Sequence, residues 1–166
     1  MPAPDPAEFR AAMAQIPSGV TVVSALTSEG PAGATASAVA SLSLDPMLML
    51  ACLDRGSRTL LAVQAANRFG INVLESGQEA IARRFSTKAA PADKWDGIAW
   101  RDAHDVPAID GALVFVCCEL HDVIAGGDHV IVTGSVEGLT VGEGQPLLYH
   151  RGEYGTVGDG SRRSLG

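Results

Sequence analysis

The 166-residue sequence predicts a mainly β fold, an antiparallel β-barrel with short flanking helices. Stretches rich in β-branched residues follow one another along the chain without the regular strand–helix alternation of a parallel sheet. Two of these stretches are long and are joined by a glycine-rich loop, a pattern typical of a barrel that bends. No dinucleotide-binding glycine motif follows a strand, and no phosphate-binding loop motif is present. At this length, we expect a single domain spanning 1–166.

The chain is predicted to begin with a capped helix. Asp5 suits the N-cap, Pro6 suits the first helical position, and Glu8 completes a capping-box pair. The helix ends before Gly19, since Pro17 and Ser18 interrupt it. Its apolar residues fall on one face at helical spacing, namely Phe9, Met13 and Ile16.

A hairpin and a second pair of extended segments follow. The β-branched run Val20 to Leu26 predicts a strand, and a turn at 28–31 returns the chain antiparallel over Gly33 to Ala38. Asp45-Pro46 breaks the chain again. Met47 to Leu53 is apolar throughout, which predicts a central strand.

The middle of the chain mixes helices, a strand and an irregular segment. Ser57 to Ala66 is predicted to be a helix and Arg68 to Leu74 a strand. Ser76 and Glu79 have the spacing of a capping box, which predicts a helix over 77–84. Residues 86–109 contain prolines and glycines that interrupt any pattern, so this segment is predicted to be irregular.

The last third of the chain is predicted to be β. Leu113 to Ile124 and His129 to Leu139 are two strands joined by the short loop 125–128. Leu147 to Val157 supplies a last strand and turn. The chain ends, 1–4 and 158–166, are predicted to be flexible.

Charge and composition exclude several function classes. The net charge is −7 and no basic cluster is present, so no nucleic-acid partner is expected. No apolar run is long enough for a membrane span, and the N-terminus lacks a signal-peptide pattern, so we expect a cytoplasmic protein without a membrane partner. The three cysteines, Cys52, Cys117 and Cys118, lie in apolar runs and do not have C-x-x-C spacing. They are therefore predicted to be buried and reduced, and neither a metal site nor a cysteine nucleophile is expected.

The segment from Gly33 to Arg58 is the candidate binding region. Small and hydroxyl-bearing residues run up to Asp45-Pro46, and an apolar stretch then leads to the turn at Gly56-Ser57. Small side chains allow a planar ligand to approach the backbone, and a turn that opens a helix favours an anion. The same pattern is compatible with an ordinary solvated strand followed by an ordinary turn.

Six motifs in this order resemble the small flavin reductases that serve two-component flavin-dependent monooxygenases. They are GVTVVSALT, GATASAVASLSLDP, CLDRGS, FGINVLESGQEAIARRFS, GDHVIVTGSVEGL and PLLYHRGEYG, and together they cover nearly the whole chain. The resemblance implies an antiparallel six-stranded FMN-binding split barrel of Greek-key type. It also implies a homodimer.

The resemblance implies a role for particular residues of this chain. Nicotinamide would be bound by His129 and Tyr154. Flavin would be bound by Thr35, Ala36, Ser37, Ser41, Leu42, Ser43, Cys52, Leu53, Asp54, Arg55, Ser57, Arg84, Phe85 and Ser86. Structural alternatives stay open: a helix cap at Ser57, a solvated charge at Arg84, a core position for Phe85 and a merely exposed ring at His129.

The implied activity is an NAD(P)H:flavin oxidoreductase that transfers hydride from NADH or NADPH to FMN or FAD. Reduced flavin would then reach a partner monooxygenase by diffusion. No catalytic side chain is expected, because hydride passes directly between the two cofactors. Three alternatives remain: a flavin-binding or storage protein, a split-barrel oxidoreductase that keeps its flavin and reduces another acceptor, and an apolar β-barrel interaction module without cofactor.

Overall fold

A computed structural model describes residues 3–157. The chain ends 1–4 and 158–166 are predicted to be flexible, and of these residues 1–2 and 158–166 lie outside the described range. Ala3 and Pro4 are exposed and have no regular structure. None of the helices in the described range is long and apolar enough to cross a membrane.

The described chain is mainly β, as predicted. Its helices are α1 (Pro6–Met13), α2 (Arg58–Ala66), α3 (Glu79–Phe85) and α4 (Pro91–Trp95). Its strands are β1 (Ser18–Gly19), β2 (Thr21–Thr27), β3 (Gly30–Ala36), β4 (Val39–Leu44), β5 (Met47–Asp54), β6 (Arg68–Val73), β7 (Trp100–Asp102), β8 (Pro107–Ile109), β9 (Val114–Gly126), β10 (His129–Val141), β11 (Leu147–His150) and β12 (Glu153–Thr156).

The main sheet has seven strands in the order β3-β2-β6-β9-β10-β5-β4, and every pairing is antiparallel. The prediction of six strands is therefore not confirmed. Nor is a closed barrel, because within residues 3–157 the edge strands β3 and β4 are not paired with each other. Two small sheets, β1-β11-β12 and β7-β8, flank the main sheet.

The main sheet curls strongly. Ala36 on the edge strand β3 lies in the same buried cluster as Ala51 and Leu53 on β5, although four strands separate β3 from β5 in the sheet order. α2 contributes Leu60 and Val63 to this cluster. The curl thus brings β3 close to the end of β5, which sets the position of the candidate site.

β5 is an apolar strand, but it is not central. It lies between β10 and the edge strand β4. Ala51 and Leu53 are buried, whereas Met47 and the neighbouring Leu44 of β4 are 58% and 88% exposed. The continuous apolar run therefore reflects a surface that this single chain leaves uncovered.

Two of the three predicted helix starts are confirmed. The Asp5 carboxylate accepts hydrogen bonds from the first turn of α1, and the Ser57 hydroxyl does the same for α2. The box predicted at Ser76 and Glu79 is wrong by one residue. Glu75 caps a single 3₁₀ turn in partnership with Gln78, so α3 begins only at Glu79.

The segment predicted to be irregular, 86–109, contains α4, β7 and β8. Trp95 is buried and packs edge to face against Phe85 and Trp100, with ring centroids 4.8 and 5.7 Å away. β8 is fixed by the buried amide of Asn72, which accepts a 2.7 Å hydrogen bond from the backbone N–H of Ile109. These long-range contacts order the segment, and local sequence pattern does not reveal them.

The cysteine prediction is confirmed for two of the three residues. Cys117 and Cys118 are fully buried, and burial raises the pKa of the Cys118 thiol to about 12. Cys52 is only half-buried and lines the cleft described next.

Candidate functional site

A cleft of about 1070 Å³ opens where the curled sheet brings β3 against the end of β5. α2 begins at the cleft, α3 ends there, and the segment 86–94 and the β11–β12 hairpin complete its rim. Six separate parts of the sequence contribute to its lining: Val20, residues within 33–38, 52–59 and 83–94, His129, and residues within 149–154. Its walls therefore depend on tertiary packing more than on any single motif.

The β3 wall is built from small residues. An added Cβ at Gly33 would lie 2.8 Å from the Phe85 ring and 3.2 Å from the Trp95 ring, so only glycine fits there. Ala34 and Ala36 continue the wall. The Thr35 hydroxyl donates a 2.7 Å hydrogen bond to the Ala82 carbonyl, so it fastens α3 to the sheet. Backbone and small side chains are left to face a ligand.

The turn after β5 is held by its own polar groups. The Asp54 carboxylate accepts a 2.7 Å hydrogen bond from the Gly56 N–H. The Ser57 hydroxyl accepts from the backbone of Thr59 and Leu60 at 3.1 and 3.4 Å. Ser57 is therefore a helix cap, one of the structural alternatives, and it also lies on the cleft wall. The positive end of the α2 dipole thus faces the cleft.

The cleft is positively charged although the chain is acidic. Four cationic side chains line it, against a single carboxylate, that of Asp54. The four are Arg58, Arg83, Lys88 and Lys94. A cleft with this balance favours an anionic ligand such as a phosphate ester.

Two aromatic side chains stand at the rim. Tyr149 and Tyr154 face each other across the β11–β12 hairpin, with ring centroids 5.0 Å apart. The Arg83 guanidinium lies 4.8 Å from the centre of the Tyr154 ring and forms a 2.7 Å ion pair with Glu79. The two rings are tilted by 58° to each other, so they form an aromatic rim against which a heteroaromatic ring can pack.

His129 enters the cleft from the start of β10. It pairs in register with Asp54 on β5, and its ring is half exposed. Its Nδ1 lies 2.8 Å from a carboxylate oxygen of Asp128. That contact holds the ring in one orientation and leaves Nε2 free for a ligand.

The cleft brings together eleven of the predicted site residues. They are Thr35, Ala36, Ser37, Cys52, Leu53, Asp54, Ser57, Phe85, Ser86, His129 and Tyr154. Their individual binding roles stay predictions.

Five predicted residues do not line the cleft: Ser41, Leu42, Ser43, Arg55 and Arg84. The first three lie on the edge strand β4, and Leu42 is 48% exposed. Arg55 is held through its backbone N–H, which donates to the Asp128 carbonyl at 3.0 Å. The Arg84 guanidinium donates to the Asp96 carbonyl, away from the cleft, and Arg83 takes the cleft-facing position.

Sequence reasoning missed several lining residues. Arg83 could have been found from its doublet with Arg84, since adjacent helical residues point about 100° apart and only one can face the cleft. Lys88 and Lys94 lie in the segment predicted to be irregular. The sequence offered no signal for Lys94, because its position depends on the burial of Trp95 beside it.

Comparisons with known proteins agree with this geometry. Residues 13–158 match the flavin reductase like domain. The reductase subunit HsaB of a flavin-dependent monooxygenase from Mycobacterium tuberculosis is 38% identical over 154 residues, 90% of this chain and 81% of the relative. A flavin reductase from Pseudomonas putida is 38% identical over 154 residues, 91% of this chain and 89% of the relative.

Solved structures give the same result. The NADH:FAD oxidoreductase SgcE6 of Streptomyces globisporus C-1027, in complex with NAD and FAD fragments, superposes with a TM-score of 0.89 at 30% identity, over 97% of this chain and 99% of that chain. The chain described here therefore belongs to the family of flavin reductase like domains.

Proposed function

We propose that this chain is an NAD(P)H-dependent flavin reductase that supplies reduced FMN or FAD to a partner monooxygenase. The observation that carries the proposal is the cleft, which joins a wall of small residues to a cationic end and an aromatic rim. Relatives named as reductase components of two-component monooxygenases support the same activity. We expect this reaction to take place in the cytoplasm, where NAD(P)H is available.

The bound flavin and nicotinamide supply hydride transfer from the dinucleotide to the flavin. The chain's task is to bind the two rings in contact and to exclude water from between them. The small side chains of Ala34 and Ala36 allow the flavin ring to approach the β3 backbone closely. His129, with its Nδ1 held by Asp128, is placed to bond the nicotinamide carboxamide through Nε2, and Tyr154 is placed to cover the ring.

The test is anaerobic mixing of the protein with NADH or NADPH and with FMN or FAD. We expect the nicotinamide absorbance to fall together with the flavin absorbance in one of the four combinations. Flavin binding without nucleotide oxidation would favour the storage protein. A flavin that stays bound through purification, and passes its electrons to an added acceptor without dissociating, would favour the alternative oxidoreductase. Absence of any saturable flavin binding would favour the interaction module.

We also propose that one domain carries this activity and that the curled sheet is a split barrel. Support for the second point comes from the buried cluster shared by Ala36 on β3 and Leu53 on β5, which draws the two ends of the sheet together. The opening of the barrel would then lie between β3 and β4. The backbone N–H of Cys52 donates to the Ala38 carbonyl at 2.9 Å beside this opening.

We propose a homodimer in which α1 docks on the partner. No residue of α1 is buried, and Phe9, Met13 and Ile16 are 56%, 44% and 61% exposed. An isolated helix of this length is marginal in water, so its apolar face needs a covering surface. The exposed apolar residues of β4 and β5, among them Leu44 and Met47, offer a further apolar surface for a second copy.

Light scattering should therefore give twice the 17.1 kDa chain mass at micromolar concentration. The paired substitution Phe9→Ser and Ile16→Ser should shift the mass toward the monomer, because it removes two exposed apolar side chains, one on α1 and one just after it. Leu61→Ser on α2, which replaces an equally exposed leucine (63%), is the matched control and should leave the mass unchanged. A monomer mass for the unmodified chain would refute the proposal.

A further inference from the structure

The aromatic rim of the cleft rests on a different sheet from the other β elements of the site. Tyr149 and Tyr154 belong to the small sheet β1-β11-β12. The wall of small residues on β3 and the ring of His129 on β10 belong to the main sheet. The position of the rim therefore depends on what holds the small sheet.

The base of the β11–β12 hairpin is held by the core. Leu147 opens β11 and is buried in one cluster with Val20 and Leu74. Its backbone N–H donates to the Leu74 carbonyl, and its carbonyl accepts from the Val20 N–H, both at 3.0 Å. The base of the hairpin is thus fixed to the core on both sides of the backbone.

The tip of the same hairpin is held by the end of α1. Arg151 and Gly152 form its two-residue turn, with positive φ angles of 54° and 89°. The Arg151 N–H donates to the Ala14 carbonyl at 3.1 Å. Ala14 is the C-cap of α1, and the last carbonyls of a helix have no partner within it, so the two groups satisfy each other. Within residues 3–157, this is the one backbone hydrogen bond that joins residues 151–152 to anything outside the hairpin.

The residues that follow α1 extend this support. Ser18 of β1 pairs in register with Tyr149, one of the two rim residues. From the other side, Arg83 contacts the Tyr154 ring, but the Arg83 side chain is 61% exposed, and a cation–π contact at an exposed site is weak. Residues 14–19 are therefore the stronger support of the tip.

α1 is itself only marginally stable. It has eight residues, none of them buried, and a capping box at Asp5. A helix of this length does not persist in water on its own. Whether α1 is folded thus depends on its cap and on the surface that covers its exposed apolar side chains. Because the Ala14 carbonyl meets Arg151 from the end of the helix, the folding of α1 and the position of the tip are linked.

We propose that α1 is a positioning element of the site. When α1 is folded, its Ala14 carbonyl holds the hairpin tip so that the aromatic rim receives the nicotinamide ring, and when α1 unfolds, the tip is released. The affinity for NAD(P)H then depends on α1, whereas flavin binding along β3 does not. The inference rests on the proposed flavin reductase function. The competing explanation is that α1 only covers a surface of a second copy and has no effect on the cleft.

The experiment breaks α1 with Ala11→Pro. Ala11 is exposed inside the helix, where a proline removes a backbone hydrogen bond and clashes with the preceding turn. We expect the KM for NAD(P)H to rise at least fivefold, with kcat and the flavin dissociation constant each changed less than twofold. Ala11→Ser alters the same exposed position without breaking the helix and should leave all three values within twofold.

A second variant and a second measurement complete the design. Asp5→Ala removes the helix cap and should give an intermediate KM, which covers the case that Ala11→Pro does not fold. Amide hydrogen exchange of the Arg151 N–H reports the hydrogen bond to Ala14 directly. This exchange should become at least tenfold faster in Ala11→Pro and stay unchanged in Ala11→Ser.

Three results would overturn the inference. Unchanged exchange at Arg151 in Ala11→Pro would show that the tip does not depend on α1. Faster exchange with an unchanged KM would show that the tip does not set nucleotide binding. Equal loss of flavin and nucleotide affinity would make α1 a support of the whole fold. An unmodified protein that oxidises no NAD(P)H with either flavin would instead contradict the proposed function itself.

Discussion

His129→Ala is expected to lower kcat/KM for NAD(P)H by roughly tenfold or more, because a lost ligand hydrogen bond costs about 1–2 kcal/mol and 1.4 kcal/mol corresponds to tenfold. The flavin dissociation constant should stay within about twofold, because the proposed partner of the ring is the nicotinamide. His129 opens β10 opposite Asp54, its backbone is paired on both sides, and Asp128 orients the ring. Removing the ring therefore leaves the strand in place.

A flavin titration and a steady-state nucleotide series on the same preparations test this expectation. His121→Ala is the matched control, because His121 is exposed on the neighbouring strand β9 and does not line the cleft. Its kinetics should equal those of the unmodified protein. Unchanged nucleotide kinetics in His129→Ala would remove His129 from the site. A large loss of flavin affinity would place its ring against the flavin instead of the nicotinamide.

Most strands and two helix starts could be predicted because they depend on neighbouring residues. The β-branched run beginning at Val20 favours an extended chain wherever it lies. Ser57 lies just before an apolar helical stretch, and a hydroxyl there satisfies the free N–H groups of the first turn. Such local preferences survive in the folded chain because no tertiary contact opposes them.

The start of α3 shows where local reasoning ends. Ser76 and Glu79 have the right spacing for a capping box, but Glu75 has a longer side chain that reaches the Gly77 N–H at 2.6 Å. The helix consequently begins two residues later than predicted. Residue spacing alone allows either capping box. In the folded chain the helix has the later start, and its residues Ala82 and Phe85 pack into the core.

The same packing decides which arginine reaches the site. Burial of Phe85 fixes the rotation of α3, and this rotation points Arg83 into the cleft and Arg84 toward the Asp96 carbonyl. Thr35 is a similar case. Its hydroxyl suits a ligand by residue type, but α3 packs close enough for Thr35 to donate to the Ala82 carbonyl. Residue type therefore identified the region of the site, and tertiary packing assigned the individual contacts.

Gly134 is the position where one added methyl group should destabilise the fold most clearly. A Cβ built there would lie 2.6 Å from the Cβ of Cys118 and 2.6 Å from the Phe69 ring, and both neighbours are fully buried. Gly134 lies at an irregularity in the pairing of β10 with β9, so the backbone has already adjusted to this close approach. The core offers no space for the added carbon.

Gly134→Ala should lower the free energy of unfolding by about 1–3 kcal/mol, the usual cost of overpacking a core. Denaturant titration measures it, with Gly126→Ala as the control, since the nearest atom to a Cβ at Gly126 on the same hairpin is 3.6 Å away. The control should be neutral or stabilising, because alanine loses less backbone entropy than glycine on folding.

Phe69→Leu should also destabilise, but it vacates the space that the added methyl needs. The double variant should therefore be more stable than the sum of the two single losses predicts, by about 0.5–3 kcal/mol, as residues in direct contact couple. Strictly additive losses would show that the methyl group and the Phe69 ring do not compete for the same space.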